Sequence, residues 1–547
     1  MSTATKTIAA VTLSENGVKL IFRGAYNEAA NAFYHSLPSA KWHAGERCWA
    51  CDATPAAAWR VMNECPAQVE ADDAVMELSA RFHNQLHGFA TEAQPTSRRF
   101  DSWPHQVGAY WHGYVREGAM LALRMGEGKT KVSVDLIVNH CSMRTLILCP
   151  VSVRGVWRRE LEKFAGHAIE TLVLEKGTTK TKRREAEKFV AECMRLKKPC
   201  AVVVNYETAK LDEFAVWSLS FMWDYVILDE SHRVKGHNTD VGKYVAALGK
   251  NARRRLCLTG TPMASPLDLF SQFRFLDRGL FGTSFHHFRN RYAKMNAIFP
   301  GKVDEWLNQE ELKERFKLLA YRVEGDVLGL PEAIHNERRC TLSSKAQAVY
   351  DGLTEDLIAD VGSGVVTATN ALTRLLRLQQ VTSGYTVEDE TEVIHEIDDG
   401  KEMMLGELLL DLPDREPVVV CCRFRHDLDV VKRVAEKLDR RYGEVSGRRK
   451  DLTPTAEMPN DIDVMAVQIQ SGGVGISLVR AAYCVLFSVG FSPIDYEQFL
   501  KRVHRPGQTR TTHYYHLIAS GTVDEAVYGA LKNKQDLIES VLEALKR

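Results

Sequence analysis

The sequence predicts an α/β protein with two parallel-sheet units in tandem, carrying helical insertions, behind a small α+β N-terminal domain. Three observations lead there. Between about residues 100 and 330, short continuous apolar runs alternate with helical segments, as expected for strands covered on both faces. From about residue 400 the same alternation starts again. Before residue 95, short strand and helix signals mix without that rhythm. The expected boundaries are 1–95, 96–330 and 331–547.

The elements follow in order. Residues 18–22 alternate like a strand, and residues 25–35 carry a helical pattern ended by Ser36-Leu37-Pro38. Residues 41–43 and 47–51 form a hairpin around Ala44-Gly45. Thr54-Pro55 opens a helix, because threonine accepts an orphan N–H and proline suits the first helical position. Residues 91–99, with Pro95, read as a linker. Strands are expected at 145–149, 201–204, 225–228 and 255–258, then at 418–422, 463–467 and 483–487.

Composition sets limits. At roughly 100–200 residues per domain, 547 residues suggest about three to four compact units. Lys and Arg total 71 and so do Asp and Glu, which excludes a globally basic nucleic-acid binder but permits a local basic groove. A 45% hydrophobic and 26% charged chain is not mainly disordered. No uninterrupted apolar stretch is long enough for a membrane span, and the run 8–13 is too short for a secretory signal. The 12 cysteines are scattered, several within apolar runs, and read as reduced thiols of a cytosolic protein.

Two motifs point to phosphate chemistry. Met125-Gly126-Glu127-Gly128-Lys129-Thr130 leads into a helix. Glycines let backbone N–H groups curl around phosphate oxygens, and the helix N-terminus adds partial positive charge. Lys129 would reach the β/γ-phosphates and Thr130 would ligate magnesium. A glycine-rich turn without a ligand is the alternative. The second motif weighs against it: residues 225–228 form an apolar strand ending in Asp229-Glu230, where ligands of parallel sheets bind. Asp229 would hold Mg2+, and Glu230 would orient or deprotonate the attacking water.

Asp229-Glu230-Ser231-His232 resembles the DExH box of superfamily two nucleic-acid motors. Its extension to Lys235, and Leu258-Thr259-Gly260-Thr261-Pro262, resemble the Swi/Snf-type branch. Leu146 to Pro150 with Val156-Trp157, Asn205-Tyr206-Glu207-Thr208 and Trp103-Pro104-His105-Gln106 resemble its motifs Ia and Ib and its adenine-side glutamine motif. Gln470 to Leu478 resembles motif V, and Gln498 to Gln508 motif VI. The ordered series covers about residues 100–530.

The resemblance implies two RecA-like lobes, ATP and Mg2+ between them, and translocation along duplex DNA. Gln106, Met125, Gly126, Glu127, Gly128, Lys129, Thr130, Gly473 and Gly475 would bind nucleotide. Arg502 and Arg505 would be arginine fingers. Ser152, Arg154, Asn205, Tyr206, Ser471 and Gly472 would grip the DNA backbone without reading sequence. His232, Thr259, Gly260, Thr261 and Gln498 would couple the nucleotide to DNA.

The phosphate loop departs from the family pattern. Leu123-Arg124 stands where Asp-Glu is usual, and Glu127 where an apolar residue is usual. A carboxylate there should face solvent or find a partner such as Arg124. Ser231, and residues 374–385, resemble the compact annealing-helicase and phage-type members.

More weakly, residues 18–64 resemble the HARP module that precedes annealing-helicase motors and assists binding of forked or branched DNA. Trp42 and Trp49 would stack on unpaired bases or else belong to the core of a small sheet. Cys48 and Cys51, with His43 and Cys65 nearby, offer spacing for one zinc-ligand pair only, and a strand puts them on opposite faces. Among basic segments, residues 176–188 read as a solvated helix, while Arg253-Arg254-Arg255 could be surface or DNA contact.

The leading expectation is a monomeric ATP-dependent translocase that remodels forked or branched DNA, with strand annealing as one outcome and replication, repair or recombination proteins as partners. Its place would be the cytoplasm of a bacterial or phage-infected cell, or the nucleus of a eukaryote. The alternatives are a strand-separating helicase, a nucleotide-gated DNA-binding module, and a remover of DNA-bound proteins.

Overall fold

The computed structural model describes residues 8–87, 101–124, 126–263, 265–296, 303–323, 327–388, 393–452, 456–469 and 476–533, apart from 363–367. The chain divides into two compact units, Met1–Val327 and Leu328–Arg547.

The first unit begins with a five-stranded sheet: β1 (Ile8–Leu13), β2 (Lys19–Gly24), β3 (Lys41–His43), β4 (Cys48–Asp52) and β5 (Gln68–Ala71). Its order is β3-β4-β2-β1-β5. The expected hairpin is β3–β4, with Trp42 opposite Trp49. The helix Glu28–His35 starts where Asn27 accepts the Ala30 N–H, and Pro55–Glu64 where Thr54 Oγ1 accepts the Ala57 N–H. The linker at 91–99 lies outside the described residues.

A seven-stranded sheet follows. Its strands include β6 (Gly118–Leu121), β7 (Arg144–Cys149), β8 (Glu170–Val173), β9 (Cys200–Asn205), β10 (Trp223–Asp229) and β11 (Ala252–Leu258). The short antiparallel pair β12 (Ala293–Met295) and β13 (Val303–Trp306) stands outside it, and β14 (Ala320–Tyr321) completes it. The order is β14-β6-β11-β10-β7-β9-β8, parallel throughout. The central strands are apolar because helices cover both faces: Leu146, Ile147, Val202, Val203, Ile227 and Leu228 are all inaccessible to solvent.

The N-terminal sheet does not stand apart from this core. Ala56 and Phe82 join the same apolar cluster as Phe273, Leu280 and Phe316. Arg60 is buried and donates to the carbonyls of Ser36 and Gly279. Glu64 bonds both Arg60 and Arg315, and Asp52 pairs with Arg278. A Cβ on Gly279 would stand 2.2 Å from Thr54 Oγ1. The approach therefore admits only glycine there.

The second unit repeats the architecture. Its strands are β15 (Ala333–Cys340), the hairpin β16 (Tyr385–Val387) and β17 (Ile394–Glu396), then β18 (Val418–Cys422), β19 (Tyr442–Val445), β20 (Val464–Gln468), β21 (Tyr483–Leu486) and β22 (Thr512–Ala519). The main sheet runs β15-β22-β21-β18-β20-β19, again parallel. The helices Ser344–Gly362 and Ala368–Thr382 are its insertion. The α/β class with two tandem parallel sheets, helical insertions and a small mixed N-terminal sheet is thus observed.

Candidate active site

The phosphate loop joins β6 to the helix Lys129–Asn139. Gly126 and Gly128 have φ of +89° and +86°, the left-handed region that glycine enters without strain. Gly128 is doubly constrained, since a Cβ there would lie 2.2 Å from Gln106 Nε2. Lys129 Nζ donates to the carbonyls of Leu123 and Arg124, at 3.0 and 3.3 Å. Thr130 is half-buried at the same helix start. Met125 lies outside the described residues.

Glu127 does not face solvent. It is 2% exposed, and its carboxylate accepts the Arg124 backbone N–H at 2.5 Å. The loop thus closes on its own carboxylate. The Glu127 carbonyl also receives Gln106 Nε2 at 3.2 Å and meets His105 Nε2 at 2.9 Å. Gln106 Oε1 accepts the Trp103 N–H. The segment Trp103–Gln106 and the loop before Lys129 are therefore one hydrogen-bonded body, in which His105 shares the tie.

Asp229 ends β10 and is buried. Its Oδ2 accepts the Trp157 indole N–H at 2.9 Å, and its Oδ1 accepts the Glu230 N–H at 3.0 Å. Burial and the neighbouring Glu230 carboxylate push its carboxyl up to about 6, against the opposing pull of Trp157 and Lys129. Glu230 sits at φ +50°, which turns the chain sharply out of the strand. Its Oε2 lies 3.4 Å from His232 Nδ1, which in turn lies 3.3 Å from Thr259 Oγ1. Thr259 is fully buried, and its Oγ1 also accepts the Thr261 N–H. Gly260 and Thr261 are half-buried beyond it. The structure thus brings Glu230, His232 and Thr259 into one chain of contacts.

The DNA-contact expectations divide. Arg154 donates to the carbonyls of Val151 and Leu174 and approaches Asn205 Oδ1. Asn205 is buried, with its Nδ2 on Glu207. Tyr206 points its side chain inward. Its side chain is 2% exposed, and its hydroxyl donates to the Asp229 carbonyl at 2.7 Å. The hydroxyl thus fastens the main chain at the end of β10, and any phosphate contact at this position falls to the backbone N–H that opens the helix Tyr206–Ala209. Ser471, Gly472, Gly473 and Gly475 lie outside the described residues, and Ser152 is described in its backbone alone.

In the second unit, Arg502 is buried near the end of the helix Pro493–Val503, where its carbonyl accepts the Leu478 N–H. Arg505 Nη1 approaches the Ile476 carbonyl at 3.5 Å. Gln498 is half-buried on that helix. Gln508 fastens the turn after it by donating to Val479 O and Ala481 O, both at 3.0 Å.

The remaining candidates sort by burial. Trp42 is 51% exposed on the edge strand β3, whereas Trp49 packs against the N-terminal core. Their rings lie 6.0 Å apart. Cys48 and Cys51 are both buried, and no group of three metal-ligating side chains occurs among the described residues. Of the arginine triplet, Arg254 caps the carbonyls of Tyr114 and Arg116, Arg255 pairs with Glu117, and Arg253 projects outward beside Asp224. The residues that sequence reasoning left without a role are Trp157, His105 and Gln272. Their partners are distant in the chain and leave no local pattern.

A family model described as the SNF2-related domain matches residues 40–385. The "Putative ATP-dependent helicase/translocase YwqA" of Bacillus subtilis (strain 168) is 26% identical over 495 residues, covering 86% of this chain and 51% of its own. "Putative protein p41" of Acyrthosiphon pisum secondary endosymbiont phage 1 is 27% identical over 460 residues, covering 77% and 94%. The human "DNA repair and recombination protein RAD54-like" is 24% identical over 478 residues, covering 78% and 63%. This chain spans about half the length of the Bacillus relative. With the family model matched over more than half of its residues, and two parallel sheets bearing the ordered motifs, the chain belongs to the SNF2-related family.

Proposed function

We propose that the protein is an ATP-dependent DNA translocase that moves on duplex DNA and remodels forked or branched structures. The observation that carries the reading is the chain Glu230–His232–Thr259, which leads from the carboxylate box to the loop after β11. A pure nucleotide binder has no need of such a relay.

The residues fit ATP with magnesium. Two glycines in left-handed geometry precede a helix N-terminus, and the buried Asp229 carboxyl, raised by burial, is the kind of group a hard cation stabilises. Bound magnesium would neutralise phosphate charge. Lys129 would exchange its loop carbonyls for phosphate oxygens, with Thr130 beside it. Glu230 would orient the attacking water and accept its proton. Trp157 and Tyr206 would hold Asp229 in place. Arg502 and Arg505 would serve as the arginine fingers and Gln498 as a coupling residue of the second lobe. Gly473 and Gly475 would complete the nucleotide contacts.

On the DNA side, Arg154, Ser152, Asn205 through its backbone, Ser471 and Gly472 would follow phosphates. Affinity would then fall steeply with salt and vary little with sequence. The exposed Trp42 supports a preference for forks, because it offers a face on which an unpaired base can stack.

The test is phosphate release without nucleic acid and then with single-stranded, duplex and forked DNA and RNA. Strong stimulation by duplex or forked DNA supports the proposal. Stimulation by single strands or RNA alone favours a strand-separating helicase. DNA binding that responds to ATP without turnover favours a gated binding module.

A further inference from the structure

We infer that Gln272 is a positioning residue that makes the loop 259–262 follow the state of the carboxylate box. The inference rests on the ATP-driven reading above and adds a second, buried route beside His232.

Ser231 directly follows Glu230. Its hydroxyl donates to Gln272 Oε1 at 2.7 Å. Gln272 Nε2 donates to the carbonyls of Pro262, at 2.6 Å, and Asp268, at 3.2 Å. Both amide hydrogens are thereby used, and Gln272 is fully buried. The two residues after Glu230 therefore grip the two ends of one loop. Ser231 reaches Pro262 through Gln272, and His232 reaches Thr259 directly.

Gln272 is also well placed to transmit rather than absorb movement. It lies on the helix Leu269–Leu276, in which every residue except Arg274 is buried. Packing alone would be met there by a leucine, as at Leu269 and Leu276 of the same helix. An amide in this position is stable because Ser231 and the two carbonyls complete it. Water cannot replace those bonds in the interior, so separating the box from the loop would orphan buried polar groups. Glu230, at φ +50°, is the hinge of the assembly. Any change in its conformation on loss of phosphate carries Ser231 and His232 with it, and the loop with them.

The experiment compares the full chain with Ser231→Ala, Gln272→Leu and the double variant. The first readout is amide exchange of Thr259, Gly260, Thr261 and Met263, with and without a non-hydrolysable ATP analogue. The wild type should gain protection in this loop when the analogue binds. Each single variant should lose at least about fivefold of that gain while residues 126–130 keep theirs. The double variant removes the hydroxyl and the amide together, so that neither is orphaned by the other, and leaves the Pro262 and Asp268 carbonyls as they are in Gln272→Leu. The second readout is base pairs moved per ATP, which should fall while the KM for ATP stays within about twofold.

A loop that responds equally in all four proteins overturns the inference, as does a wild-type loop that ignores the analogue. If Ser231→Ala, which keeps both carbonyl bonds, retains the wild-type loop response while only the Gln272 variants lose it together with melting temperature, Gln272 has a purely structural role and the inference is overturned. A wild type that shows the loop response but no DNA-stimulated hydrolysis overturns the translocase reading and leaves this linkage standing.

Discussion

The two parallel sheets share an architecture but place their buried charges differently. In the first unit one group of them lies at the carboxyl ends of β6 and β10, apart from the scaffold contacts of Arg60 and Asp52. There Glu127 accepts a loop N–H, Lys131 pairs with Asp135, and Asp229 is held by Trp157. In the second unit, Arg502 aside, the main buried pairs fasten the scaffold. Lys401 pairs with Asp524 at 2.6 Å, both nearly inaccessible, and Asp463 binds Arg441 and Arg415 beside the start of β18. The first arrangement spends its polar groups on a site, and the second on keeping strands and helices in register. Charge deletions in the two units should therefore fail in different ways.

The largest effect is expected in the first unit. Lys129→Ala or Glu230→Gln should lower ATP turnover at least about a hundredfold, measured by phosphate release, with the melting temperature within a degree or two of wild type. Wild-type turnover in either variant would remove the site assignment. Next comes Lys401→Met, which strands Asp524 and should destabilise the second unit by about 3–5 kcal/mol in denaturant unfolding. Lys401→Met with Asp524→Leu should recover much of that loss. If Lys401→Met instead abolished turnover without unfolding, the contrast between the units would be lost.

A smaller effect concerns acid. Burial alone would raise the Asp463 carboxyl, but hydrogen bonds from Arg441 and Arg415 reverse this and hold it at about 2. An unfolded aspartate titrates near about 3.9. The stabilisation is thus complete above about pH 4 and disappears as pH falls from there through about 2. Asp463→Asn should remove this acid-sensitive part, read as a flatter melting-temperature curve between about pH 4 and 2. The smallest effect is expected at Trp42. Its exposed ring makes Trp42→Ala worth less than about 0.5 kcal/mol of stability, while affinity for forked DNA should fall relative to plain duplex.

Much of this was readable in the chain. The apolar strands β7, β9, β10, β11, β18, β20 and β21 appear because burial on both faces leaves an uninterrupted hydrophobic signal. β15, an edge strand with the sequence Ala-Ile-His-Asn-Glu-Arg-Arg-Cys, has no such signal because one side of it meets solvent. β6 is only four residues long and starts with glycine. β19 buries Glu444, which Arg448 and Ser446 satisfy from a turn just beyond it. Such a residue reads as surface in a sequence. At the site, the motif residues were legible because phosphate chemistry requires particular groups at fixed spacing. The inward turn of the Tyr206 side chain was not legible, because a tyrosine beside a motif reads equally as a ligand or as a support. Only its bond to the Asp229 carbonyl separates the two.

The way Arg60 is buried has a consequence for how the chain is made. Its guanidinium finds a carbonyl partner at Gly279, 219 residues later in synthesis, and Glu64 finds Arg315, 251 residues later. At roughly 5–20 residues per second, the N-terminal sheet waits tens of seconds on the ribosome before those partners emerge. During that interval Phe82 and Trp59 lack the apolar surface that covers them in the finished protein. The early segment therefore carries exposed apolar surface until the later strands and helices are made.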